Sequence, residues 1–134
     1  MIPEITDRSF DQMIETSSVP VLVAFWSPTC RNCKVLLYEL DQLSEEQGEE
    51  IAIYKMDVTE NYQIPAEYEI SSLPTLAFFS KGKFVQFIGG LGKKSVIQSA
   101  IEKALRPKTI EREEDKTDES RSSQIRKETP QSSR

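Results

Sequence analysis

The only two cysteines of the chain, Cys30 and Cys33, stand in W-S-P-T-C-R-N-C-K (Trp26 to Lys34), between segments of different periodicity. Before them, V-P-V-L-V-A-F-W (Val19 to Trp26) is an unbroken apolar run rich in β-branched residues. Such a run predicts a strand covered on both faces. After them, Leu36, Leu40 and Leu43 recur with a helical period, and Gly48 can end the helix. A strand leading into a helix places Cys30 near a helix N-terminus. Free backbone N–H groups and the macrodipole favour an anion there, in this case a thiolate. Arg31 adds a positive charge next door. Both effects draw the thiol pKa of Cys30 below that of free cysteine. Cys33, one turn further in, is more covered by the helix and close enough for a disulfide. A division of labour follows: Cys30 attacks a partner's disulfide, and Cys33 resolves the mixed disulfide by attacking Cys30. On spacing alone two other readings stay open. One is a pair of inert thiols packed at a strand–helix junction. The other is half of a metal site shared by two chains.

Around this stretch, helix and strand signals alternate. Asp7 or Thr6 can cap a short helix whose apolar face is Phe10, Met13 and Ile14. I-A-I-Y-K-M-D-V (Ile51 to Val58) predicts a second central strand, and a short helix falls within Asn61 to Tyr68 with Pro65 in its first turn. T-L-A-F-F-S-K-G-K-F-V-Q-F-I (Thr75 to Ile88) predicts an antiparallel hairpin about Lys81-Gly82. A last helix runs from about Lys93 to Leu105, with Val96, Ile97, Ala100, Ile101, Ala104 and Leu105 as its apolar stripe and Pro107 beyond it. A short strand near Ile5 completes the pattern. The order predicts an α/β fold with a central mixed sheet of four to five strands, flanked by helices on both faces.

The 134 residues suit one domain, and the change in composition places it at 1–105. Residues 106–134 carry 8 basic and 7 acidic side chains, with Ile110 and Ile125 as their only large aliphatics and no aromatic. Such a segment cannot bury enough apolar surface to offset chain entropy and reads as a charged, disordered tail. The acidic stretch E-L-D-Q-L-S-E-E-Q-G-E-E reads as a solvated helix face. A net charge of -5 disfavours nucleic-acid binding, which relies on clustered Lys and Arg. No apolar run is long enough to predict a membrane span. The first residues lack the pattern of a secretory signal, so the expected location is the cytoplasm. Histidine is absent, which removes the commonest zinc ligand, and no metal is expected. No nicotinamide or flavin fingerprint is present, so electrons must come from outside.

The stretch F-W-S-P-T-C-R-N-C-K, then S-S-L-P-T-L-A-F-F-S-K-G-K and F-I-G-G further on, together resemble the thioredoxin family over roughly residues 3–105. The resemblance implies a thioredoxin fold and a thiol-disulfide oxidoreductase whose only redox group is a Cys30–Cys33 disulfide. Cys30 would be the nucleophile and Cys33 the resolving thiol. Trp26 would pack beneath the site, and Lys34 follows the second cysteine as is common in the family. Pro74 would be a cis-proline facing the disulfide. Leu73 would offer backbone hydrogen bonds to an extended substrate, a form of strand addition, with Thr75 beside it. Gly89 and Gly90 would keep the far wall of the groove low. The implied partners are protein disulfides and an external thioredoxin reductase or another thiol reductant, with the chain acting as a monomer.

Several positions depart from the family pattern. Thr29 replaces an aromatic residue before the nucleophile. Arg31 and Asn32 replace a Gly-Pro pair, which loosens the loop and, through the added charge, favours the reduced form. Ala24 stands where the family often has a buried aspartate that helps deprotonate the resolving thiol. Lys55 matches that aspartate's lysine partner, and the sequence does not place Asp57 or Glu60 against it. Resolution by Cys33 is then expected to be slow. These departures, with the tail, also motivate an alternative: a redox-switched or non-catalytic binding module on the same fold.

Overall fold

The computed structural model describes residues 2–89 and 93–105. By its contacts the chain divides into Met1–Ala104 and Leu105–Arg134. Gly90 and the tail at 106–134 lie outside the described residues. The elements are α1 (Phe10–Glu15), β1 (Val21–Trp26), α2 (Arg31–Gln47), a 3-10 turn (Gly48–Glu50), β2 (Ala52–Asp57), α3 (Gln63–Glu67), β3 (Thr75–Ser80), β4 (Lys83–Ile88) and α4 (Lys94–Leu105). This is the expected order. The four strands form one mixed sheet in the order β2-β1-β3-β4. β1 pairs with β2 in parallel and with β3 antiparallel, and the hairpin adds β4 at the edge. The predicted strand near Ile5 is a single parallel bridge, Glu4 with Lys55, on the outer side of β2.

β1 is central because both its faces are apolar. Val21, Val23 and Phe25 join a core with Phe10 and Ile14 of α1, Ile64 of α3, and Phe79. Leu22 and Ala24 face the other way, into a core with Leu36, Leu40 and Leu43 of α2 and Ile97 and Ile101 of α4. Helices therefore cover both faces. The stripe of α4 is narrower than its periodicity predicts, because Val96 and Leu105 are about half exposed (54% and 48%). Gly48 ends α2 with φ of 60°, and Lys81 and Gly82 turn the hairpin with φ of 55° and 80°. Positive φ at both central residues matches the twist of the flanking strands.

Two polar features lie beyond the reach of local pattern. The expected cap by Thr6 or Asp7 is displaced: the N-cap of α1 is Ser9, which makes no side-chain cap bond. Thr6 instead closes the turn before it, its hydroxyl accepting from Ser9 N (3.2 Å) while Ser9 Oγ accepts from Thr6 N (3.0 Å). Asp7 does something else. Its carboxylate accepts from Tyr62, Gln63 and Ile64 N at 2.8–2.9 Å, capping α3 from the far end of the chain. On α2, the acidic stretch is more than a solvated face. Glu39 accepts from Lys94 N (3.0 Å) at the start of α4, and Glu46 pairs with Lys94 Nζ.

Burial raises the Asp7 pKa, but the amides of Ile64, Gln63 and Tyr62 together outweigh it and hold it below the ordinary aspartate value. The folded pKa is thus lower than the unfolded one. The resulting stability is present above the unfolded value and is lost as pH falls through the folded one. Asp7→Ala is expected to cost about 1 kcal/mol near neutral pH, or roughly 4–8 °C in Tm. Thermal unfolding of the two proteins should converge in acid, below about pH 4.

Candidate active site

β1 ends at Trp26, and the chain turns through Ser27 to Thr29 into α2, with Cys30 N donating to Ser27 O at 3.2 Å. The Ser27 and Thr29 hydroxyls lie 3.4 Å apart. Cys30 is the N-cap residue of α2, with φ -90° and ψ 110°, and its sulfur accepts from Cys33 N at 3.1 Å. The sulfur thus takes the place of a capping side-chain oxygen. When reduced, the same amide and the helix N-terminus stabilise a thiolate there. Cys33 is fully buried, whereas Cys30 is partly exposed. The two form a disulfide with Cα atoms 5.2 Å apart. Attack from outside therefore reaches Cys30 and not Cys33.

Thr29, Arg31, Asn32 and Lys34 are exposed around this sulfur pair. Arg31 opens α2, so its charge adds to that of the helix end. Arg31→Glu is expected to slow alkylation of reduced Cys30 near pH 7 by roughly 3- to 10-fold, and added salt should narrow the gap.

Strand register brings the distant loop to the same end of the sheet. Phe25 of β1 lies opposite Thr75, the first residue of β3, and Leu76 lies opposite Ile88 near the end of β4. The cysteine loop, the loop before β3 and the exit from β4 therefore project together. The Leu73–Pro74 bond is cis, as the resemblance implies. Thr75 Oγ1 donates to Ser72 O at 2.6 Å, which steadies the loop. Leu73, Pro74, Thr75 and Gly89 share an open groove of about 510 Å³. Its α2 wall is Leu36, one turn beyond Cys33; the cysteines themselves are not among its lining residues. Gly90 is outside the described residues. No motif or local pattern marks Ile70, Phe87 or Leu36 as groove residues, although all three line it.

Beneath the site, Ala24 is fully buried. Lys55, its register neighbour on β2, is not left without a partner. Its Nζ lies 3.8 Å from Glu4 Oε2 and 4.9 Å from the centroid of the Trp26 ring. A cation–π contact and an N-terminal carboxylate thus hold the ammonium on the half-buried Trp26. Asp57 is occupied elsewhere: its Oδ1 accepts from Thr59 N (2.9 Å) and Thr59 Oγ1 (2.7 Å). Glu60 is exposed. Among the described residues, no group of three or more His, Cys, Asp or Glu is placed to hold a metal ion.

A buried and a partly exposed cysteine joined at a helix N-terminus, on a mixed sheet covered on both faces, define a dithiol–disulfide exchange protein. Comparison with known proteins agrees. The thioredoxin family model matches residues 1–103. The chain is 37% identical over 106 residues to thioredoxin M-type, chloroplastic, of Spinacia oleracea, covering 79% of this chain and 59% of that protein. It is 39% identical over 103 residues to thioredoxin of Listeria monocytogenes (77% and 98% covered). With thioredoxin of Rickettsia prowazekii it shares 34% over 105 residues (78% and 100% covered). The chain belongs to the thioredoxin family. It is a thiol-disulfide oxidoreductase, and Cys30–Cys33 is its redox-active disulfide.

Proposed function

We propose that this protein exchanges its dithiol with protein disulfides as a cytoplasmic monomer, recharged by an external thioredoxin reductase or another thiol reductant. Cys30 acts as the nucleophile and Cys33 as the resolving thiol. The Cys30 thiolate attacks one sulfur of the partner's disulfide, and the other sulfur leaves as a thiolate. Cys33 then attacks Cys30, its proton ending on the departing partner sulfur, and the partner is released fully reduced. Two electrons pass to the partner, and the external reductant restores the dithiol. Trp26, Thr29, Arg31, Asn32 and Lys34 shape the site. Leu73, Pro74, Thr75, Gly89 and Gly90 receive the substrate segment. The observation that carries this reading is the sulfur of Cys30 at the α2 N-cap, accepting from Cys33 N, with Cys33 itself buried.

The same reading gives mixed disulfides an unusually long life. The family's buried carboxylate is replaced by Ala24, and Lys55 is drawn to Glu4 and Trp26. A protein disulfide incubated with catalytic amounts of the reduced chain and excess dithiol tests the proposal. Multiple turnovers support it; a rate equal to that of the dithiol alone would sink it. A pure binding module would instead hold its partner equally well after both cysteines are changed to serine.

A further inference from the structure

β4 is an edge strand, and regular alternation would send Phe84 and Phe87, three positions apart, to opposite faces. The register prevents this. Phe79 pairs with Phe84, Phe78 with Gln86, and Ala77 with Phe87, so Val85 is the extra residue of a bulge. Val85 packs toward the core under α2 and α4, and both phenylalanines come to the face of Ala77 and Phe79. Their rings continue a ladder: Phe79 to Phe84 at 5.7 Å, then Phe84 to Phe87 at 5.0 Å.

Phe87 ends this ladder in the groove, 45% exposed, beside Ile70, Leu73 and Pro74. Two residues on, Gly89 also lines the groove. A Cβ there would meet nothing within 4 Å, and its φ is not in the left-handed region, so neither backbone nor packing demands glycine. The space above it is open to an incoming side chain. Glu69 is the one charged residue among those lining the groove.

We propose that Phe87 is a specificity-determining residue: with the open floor at Gly89 it forms a subsite for one bulky apolar side chain flanking the reacting cysteine of the partner. This deepens, and rests on, the exchange function proposed above. A leucine or aromatic side chain laid on the Phe87 ring removes apolar surface from water on both partners. The subsite is continuous with the Leu73–Thr75 segment, so a strand held there can present such a residue while its disulfide reaches Cys30. An acidic side chain is disfavoured by Glu69.

The test uses two cystine peptides that differ only in carrying Leu or Ser on both sides of the reacting cysteine. The full chain should favour the Leu peptide in kcat/KM on the order of 10-fold. Phe87→Ala should bring the two peptides close to parity, and Phe87→Leu should restore most of the preference. Retention of the full preference by Phe87→Ala, or an equal loss of rate on both peptides, would overturn the proposal. Calorimetric titration of the Cys30→Ser/Cys33→Ser protein with both peptides reads the same preference without chemistry. If the wild-type chain exchanges neither peptide, preferential Leu binding that Phe87→Ala removes supports the subsite while contradicting the exchange function. Equal binding overturns the subsite.

Discussion

Cys30→Ser is expected to reduce disulfide exchange by at least about 10³-fold, because serine supplies no thiolate at neutral pH and the buried Cys33 cannot take its place. Cys33→Ser should behave differently. Its Cys30 still attacks, but no thiol remains to resolve the adduct, so a covalent complex with the partner accumulates at one per chain. Non-reducing electrophoresis and intact mass distinguish the two. The asymmetry follows from the fold, since Cys30 caps α2 at the surface while Cys33 lies one turn inside it. Equal adduct formation by both single variants would show that Cys33 is as accessible as Cys30 and would contradict the assignment.

The second large effect lies beneath the disulfide. Ala24→Asp should accelerate resolution by about 10-fold or more, by returning a general base to the buried side of the site. It should also destabilise the fold. Ala24 is fully buried in the core that includes Leu36, Leu40 and Leu76, and an introduced carboxylate there starts without a partner. A loss of about 2–4 kcal/mol is expected, or on the order of 10–20 °C in Tm. Burial raises the pKa of the introduced carboxyl above its unfolded value. The variant's stability should therefore fall as pH rises from about 4 toward that raised value. Lys55 can relieve this only by leaving Glu4 and the Trp26 ring. Adding Glu4→Gln to Ala24→Asp should thus recover part of the stability, whereas Glu4→Gln alone should not stabilise. The lifetime of the trapped partner complex checks the kinetic half, and an unchanged lifetime would show that resolution is not limited by a missing base.

What could be read from sequence here was what has a period or a motif. The strand before Cys30 and the helix after it stand out because their apolar spacing differs, and that junction alone places a sulfur at a helix N-terminus. The hairpin about Lys81 and Gly82 was equally plain. Other features depend on where elements come to rest. Asp7 reads locally as a cap for its own helix, yet it caps α3, because the Glu4–Lys55 bridge lays the N-terminal segment alongside β2. The acceptor of Lys55, Glu4, arrives through a bridge that no strand pattern marks, so the sequence assigns this lysine no partner. Phe84 and Phe87 alternate as though on opposite faces, and only the bulge at Val85 reveals that they share one. Val96 continues the stripe of α4 but lies beyond the width that the core covers.

The central claim is that Cys30 and Cys33 form a working redox pair whose charge at Arg31 and lost Gly-Pro loop favour the dithiol. Its reduction potential, measured by equilibration against a series of thiol–disulfide buffers, tests this most directly. The expected result is one reversible two-electron couple lying above the roughly -270 mV of a typical thioredoxin. A potential at or below that value would contradict the role given to Arg31 and Asn32. The absence of any reversible couple would contradict the dithiol function itself.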